Sequence, residues 1–150
     1  MPNPSFEVGQ EMGDGGARSL LSSSNHGVLS LGVGNCGYGV PISFAYEVTT
    51  DRIVFAFTDV PGSTKRALAD ETEQASLTVY IHEEPDSWES VVVTGPLHQI
   101  DEGDVDKQVP ALFFRQEDDN SGDRPVSLDE FDQIWYELSI DNMSGRHSGW

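Results

Sequence analysis

Between Val40 and Thr58 two apolar runs, VPISFAYEV and IVFAFT, are separated only by the four residues TTDR. In the first run Ile42, Phe44 and Tyr46 fall on one face of an extended chain, and Ser43, Ala45 and Glu47 on the other. The second run is apolar on both faces, which suits a central strand. Two strands joined by so short a link pair antiparallel, because a parallel return needs a crossover of a dozen or more residues. The same economy recurs elsewhere. HGVLSLGVG precedes the turn NCGYG, and ASLTVYIHEE alternates through Leu77, Val79 and Ile81. SWESVVVTGPLHQI is a long β-branched strand with a bulge or bend expected at Gly95-Pro96. FDQIWYELSID places Ile134, Tyr136, Leu138 and Ile140 on one side, and NMSGRHSGW follows as a tail. Six strands in mostly adjacent runs, with two or three short helices, predict a mainly β protein. Its expected form is an antiparallel sheet rolled into a barrel, in place of a doubly wound parallel sheet.

Short helices are expected at ARSLLSSS, after Pro61-Gly62, and over DVDKQVPALFFRQED, which Pro110 interrupts. The 150 residues suffice for one buried core. The domain is expected over residues 17–147, with the polar, Gly-rich residues 1–16 as a flexible arm and 148–150 as the end of the tail.

Asp and Glu outnumber Lys and Arg by 26 to 8, for a formal charge of −18. That charge argues against nucleic acid and against an anionic membrane as partners, since both need a basic surface. The acids are scattered among apolar residues and read as a solvated acidic surface. Near-absence of lysine fits life in concentrated salt, where screening lowers self-repulsion. No stretch approaches the about 20 apolar residues of a membrane span, and the N-terminus is not of secretory type. Cys36 is alone in a Gly-rich turn, so no disulfide framework exists within one chain, and a reducing, cytoplasmic location is expected. His26, His82, His98 and His147 lie far apart, without metal-ligand spacing.

Against this background PGSTKRAL, Pro61 to Leu68, is unusual. Lys65 and Arg66 stand where a helix starts, after a turn at Gly62 and a capping Ser63 or Thr64. Helix starts carry partial positive charge and unpaired N–H groups, so two cations there are locally unfavourable. A bound phosphate reverses the sign, because it meets those N–H groups, two hydroxyls and one or two cations. The competing reading pairs the cations with Asp59, Asp70 or Glu71, Asp70 lying four residues after Arg66. The spacing of a P-loop is absent, and so is a Gly-x-Gly-x-x-Gly between strand and helix.

The ordered series GVLSLG, GYGVPISFAYE, RIVFAFTDVPGSTKRAL, ASLTVYI, WESVVVTGPL and WYELSIDNMSGR resembles the flavin-binding split-barrel superfamily over about residues 18–147. That group includes pyridoxamine 5′-phosphate oxidases and nitroimidazole-resistance proteins, and the pattern is nearest the latter branch. The resemblance implies a six-stranded antiparallel split β-barrel acting as a homodimer, with FMN in grooves between the subunits. It assigns the phosphate to Gly62, Ser63, Thr64 and Lys65. Thr64 stands where the oxidase branch has an arginine, and Arg66 is the compensating candidate. It sets Phe57 and Thr58 along the phosphate and ribityl chain, and Val40, Pro41, Ile42 and Ser43 beside the isoalloxazine ring. Ser90 and Val91 complete the cofactor wall, from this subunit or the other. The implied activity is that of a flavin-dependent oxidoreductase, with NAD(P)H as a possible electron donor. A silent FMN-binding or sensing protein, a deazaflavin protein and a haem-binding split barrel, with His26 and His82 as first ligand candidates, are the alternatives. The late basic and aromatic residues that hold pyridoxal phosphate in true pyridoxamine-phosphate oxidases have no counterpart here, which argues against vitamin B6 oxidation.

Overall fold

The computed structural model describes residues 9–58, 61–84, 87–105 and 133–148. Ten strands and two α-helices are present among them. Strands β1 (Gln10–Met12), β2 (His26–Val33), β3 (Cys36–Ser43), β6 (Ala75–Glu84), β7 (Ser87–Gly95) and β10 (Asn142–His147) form one six-stranded sheet, ordered β1-β10-β7-β6-β2-β3. Strands β4 (Ala45–Glu47), β5 (Arg52–Thr58), β8 (Leu97–Ile100) and β9 (Gln133–Ser139) form a second sheet, ordered β4-β5-β9-β8. Every pairing is antiparallel. This is the split barrel that the short links imply: two curved sheets enclosing a common core.

Two of the long strands expected from sequence are each divided between the sheets. VPISFAYEV leaves the six-stranded sheet at Ser43 and re-pairs as β4. Phe44 is the pivot, its side chain buried and its N–H donated to the Asn25 carbonyl at 3.0 Å. SWESVVVTGPLHQI makes the same transfer between β7 and β8 at Gly95-Pro96. A third transfer, from β9 to β10, runs beside it. Ser139 N–H donates to the Pro96 carbonyl at 3.1 Å, and Asp141 N–H to the Thr94 carbonyl at 3.0 Å. The two crossing chains lie so close that a Cβ on Gly95 would overlap the Ser139 carbonyl oxygen.

Other expectations need correction. Residues 9–16 are not a flexible arm: β1 pairs with β10, and helix α1 (Asp14–Ser23) begins well before Ala17. NMSGRHSGW is not wholly a tail, since Asn142–His147 is a full strand between β1 and β7. Even Ser148 is tied in, its N–H donating to the Trp88 carbonyl at 2.9 Å. The helical reading of DVDKQVPALFFRQED falls mostly outside the described residues, which resume at Gln133.

The core follows the period-2 pattern. Leu29, Leu31, Leu77, Val79, Val91 and Val93 point inward from the six-stranded sheet. Ile53, Phe55, Phe57, Tyr136 and Leu138 meet them from the other sheet, and α1 covers one end with Ala17, Leu20 and Leu21. β5 is apolar on both faces because its far face has a second core: Val54 packs with Trp135 and Val105. Helix α1 is held by an ion pair at its side. Arg18 donates to both Asp51 oxygens at 3.0 and 2.9 Å, and the Tyr46 hydroxyl donates to the same carboxylate. Arg52 is likewise engaged by Glu47 at 2.7 Å and Glu137 at 2.9 Å. Both arginines therefore serve structural pairs.

Gly95→Ala tests the crossing. The added methyl has no room against backbone, so unfolding free energy should fall by about 3 kcal/mol, the upper part of the range for overpacking. Urea denaturation reads the loss, and a change within about 0.5 kcal/mol of wild type would contradict the described packing.

Candidate functional site

β5 runs out of the core at Phe57 and Thr58, and the chain is described again from Pro61. Gly62 has φ of +79°, a left-handed conformation that other residues adopt at a cost. It turns the backbone into Ser63, the N-cap of helix α2 (Thr64–Glu71), whose Oγ accepts from the Arg66 N–H at 3.4 Å. The first turn of α2 contains no acidic residue. Helix starts favour acids, and this chain has acids in excess, so the omission is informative.

Lys65 is half-buried, with Nζ 5.6 Å from the centroid of the Phe57 ring. Among the described residues no carboxylate forms an ion pair with it. The surface pairs that would have explained it are largely occupied or distant. Asp70 accepts a 2.7 Å hydrogen bond from the Tyr136 hydroxyl, and Glu71 is exposed at the far end of the helix. Asp59 lies outside the described residues. An ammonium held over an aromatic face beside free helix N–H groups is an arrangement that accepts an anion.

Beneath the helix, Tyr136 is almost fully buried. Its ring stacks on Phe55 with centroids 5.7 Å apart and meets Phe57 tilted at 5.6 Å. Burial, reinforced by the bond to the Asp70 carboxylate, pushes the phenol up to about 12, and the Arg66 guanidinium beside it opposes this only in part. Reading the sequence alone placed Tyr136 among the apolar residues of its strand. A buried tyrosine needs a partner for its hydroxyl, but the distance in sequence to Asp70 hid which one.

The VPIS stretch lies on β3, the last strand of the six-stranded sheet, with β5 against it. Val40 and Ile42 turn their side chains into the core opposite Leu29 and Gly27. Pro41 is exposed on the outer face beside Val28, and Ser43 is half-buried opposite His26. What this segment offers a ligand is the main chain of a sheet edge, together with Pro41, and not the valine and isoleucine side chains. Thr58, at the end of β5, receives a hydrogen bond from the Gln133 side chain at 3.2 Å. The structure thus brings Phe57, Thr58, Gly62, Ser63, Thr64, Lys65 and Arg66 into one neighbourhood with the β3 edge beside their strand. It does not bring Ser90 and Val91 there. Their strand β7 is separated from β3 by β6 and β2. Val91 is wholly buried, while Ser90 faces outward between Tyr80 and Arg146.

His26, His82 and His98 are exposed, and among the described residues no group of His, Cys, Asp or Glu is arranged to hold a metal. No helix among them is long and apolar enough to cross a membrane.

The antiparallel split barrel defines a class of fold, and comparison with known proteins agrees with it. The family model described as pyridoxamine 5′-phosphate oxidase matches residues 15–147, and the chain belongs to that family. A FAD-binding protein from Mesorhizobium loti superposes with a TM-score of 0.76 at 17% identity, over 95% of this chain and 100% of that one. A putative 5-nitroimidazole antibiotic resistance protein from Bacteroides thetaiotaomicron gives 0.63 at 15% identity, over 95% and 93%. A FAD and heme binding protein from Mycobacterium smegmatis gives 0.61 at 20% identity, over 87% and 69%. At these identities the likeness is one of fold. A search of curated proteins finds no match.

The raised phenol makes a prediction with a definite sign. A group that holds its proton more tightly when folded stabilises the fold below its unfolded value of 10.0, and that contribution is lost as pH rises toward about 12. The stability gap between wild type and Tyr136→Phe, measured by denaturant unfolding, should therefore shrink as pH rises through this window. A gap independent of pH would show that the phenol is not held as described.

Proposed function

We propose that this protein binds a flavin nucleotide, FMN in the first instance, and acts as a flavin-dependent oxidoreductase. The observation that carries the reading is Lys65: a half-buried ammonium with no ion-pair partner among the described residues, in a chain whose net charge is −18. The site fits the cofactor on its own terms. Gly62 and the Ser63 cap open the backbone of α2, the first turn carries no competing acid, and Lys65 supplies the charge that a phosphate dianion requires. Ser63 and Thr64 add hydroxyls. Phe57 and Thr58 continue the track from the helix toward β3, whose edge main chain from Val40 to Ser43 can address the polar rim of a flat ring.

When bound, the flavin supplies the redox chemistry through its isoalloxazine ring. The residues of the chain bind and orient it. Lys65 and the helix start anchor one end, and the β3 edge fixes the other. An NAD(P)H donor and a small electron acceptor are the reactants this arrangement suits. The relatives that bind FAD and haem support a redox cofactor in this fold and leave the nucleotide tail open to test.

The same reading includes a homodimer. The outer face of the six-stranded sheet exposes Pro41, Tyr80 and Val92 beside the half-buried Val28, with Tyr80 65% exposed. Ser90 lies on that face, in register with Tyr80. A second copy packed there would cover the apolar residues and bring its own Ser90 strand toward the β3 edge, so that each cofactor would touch both subunits.

Two measurements test the proposal. The visible spectrum of the protein as isolated, or after addition of FMN, should show oxidised-flavin bands perturbed from those of free FMN, and a Soret band in their place would favour the haem reading. Lys65→Ala should weaken FMN binding by about 1.5–3 kcal/mol, the range for a hydrogen bond to a charged group. Riboflavin, which lacks the phosphate, should bind both proteins alike. Equal FMN affinity at matched salt would remove Lys65 from the site.

A further inference from the structure

Helix α2 is tied to the barrel by a single buried aromatic, and both ends of the tie bear on the anion cradle. The Tyr136 hydroxyl reaches Asp70 in the last turn of the helix, donating to it at 2.7 Å. The ring of the same residue packs at 5.6 Å against Phe57, over whose ring the Lys65 ammonium lies. Asp70 is exposed while Tyr136 is 1% exposed, so the bond runs from the core out to the helix surface. The rest of its seat is small: Ala69 is its one buried residue, Leu68 packs partly against the core, and the Arg66 guanidinium lies beside the same Tyr136 hydroxyl. With eight residues it is also too short to persist by intrinsic propensity.

We infer that Tyr136 is a positioning residue for the phosphate cradle, holding α2 against the barrel through Asp70 and supporting the Phe57 ring on which Lys65 rests. It touches neither phosphate nor ring of the cofactor. Its effect is exerted through where the first turn of α2 and the Lys65 ammonium sit. The inference rests on the phosphate assignment made above and adds to it a pair of residues, Tyr136 and Asp70, that stand outside the cradle itself.

Tyr136→Phe keeps the ring and its packing and removes the hydroxyl, and with it the tether to Asp70 and the contact with the Arg66 guanidinium. Because Asp70 is exposed, water can take over its carboxylate, and the variant is expected to fold. Its dissociation constant for FMN should rise about five- to tenfold, the consequence of losing one charge-assisted hydrogen bond that orders the site. Its dissociation constant for riboflavin should not change, which separates positioning of the cradle from general loosening of the barrel. Asp70→Ala, altered at the surface, should shift FMN binding in the same direction, and the double variant should lose no more than Tyr136→Phe alone, since that change already removes the Asp70 bond. If Tyr136→Phe and Asp70→Ala keep the wild-type ratio of FMN to riboflavin affinity, the inference is overturned and the phosphate site stands. If the wild-type protein itself does not distinguish FMN from riboflavin, the inference and the phosphate site fall together.

Discussion

The pairing of β5 with β9 is the constraint on which the rest of the molecule depends. It runs in unbroken register from Arg52 opposite Ser139 to Thr58 opposite Gln133. On one face it aligns Phe55 and Phe57 with Tyr136 and Ile134, building the aromatic floor of the main core. On the other it aligns Val54 with the Trp135 cluster. A slip of one residue would exchange the two faces and drive Glu137 inward. Because both faces are apolar, such a slip would be costly in either direction. The end of this ribbon determines where the chain leaves the core, and so where the turn at Gly62 and the start of α2 are placed.

Electrostatics then explains why the cations of PGSTKRAL are tolerated. Two of the five basic residues described are held by carboxylates: Arg18 bridges to Asp51, and Arg52 to Glu47 and Glu137. Asp51 is held below the ordinary carboxylate range chiefly by the Arg18 hydrogen bond, with Tyr46 adding to it. Lys65 departs from this pattern. Its ammonium lies on an aromatic face beside the unpaired N–H groups of a helix start, while the acids of the same helix lie at its other end. A protein with so strong an anionic field gathers an anion only where the local potential is reversed, and the proposed phosphate site rests on Lys65 doing so at this helix start.

Much of this was legible in the sequence, for reasons that differ by element. The two-sided apolarity of IVFAFT marked a central strand, and β5 indeed lies between β4 and β9. Ser63 before a short helical pattern marked a cap, and its side chain does accept from the backbone. The transfers of strands between sheets were not legible. Period 2 continues unbroken through Phe44, so nothing in VPISFAYEV signals that its hydrogen-bonding partners change there. Gly95-Pro96 announced a bend, but not that the bend crosses to another sheet beside Ser139. β1 and β10 were missed because Gly, Ser and charged residues dilute their alternation, and long-range pairing overrides weak local propensity. Within the candidate site, Lys65 stood out through its rarity and position. Val40 and Ile42 could be placed on a strand, but their inward direction depends on register with β2. The Tyr136–Asp70 bond joins positions 66 residues apart and leaves no local pattern at all.

The central claim is that the notch formed by Gly62, Ser63 and Lys65 grips a phosphate as its dianion. Phosphorus NMR of FMN bound to the wild-type protein, followed through the second phosphate ionisation near about pH 6, tests it most directly. The bound resonance should stay at the dianion position well below the pH at which free FMN is protonated. A bound resonance that titrates together with free FMN would contradict it, because the phosphate would then lie in water and not against the helix and its lysine.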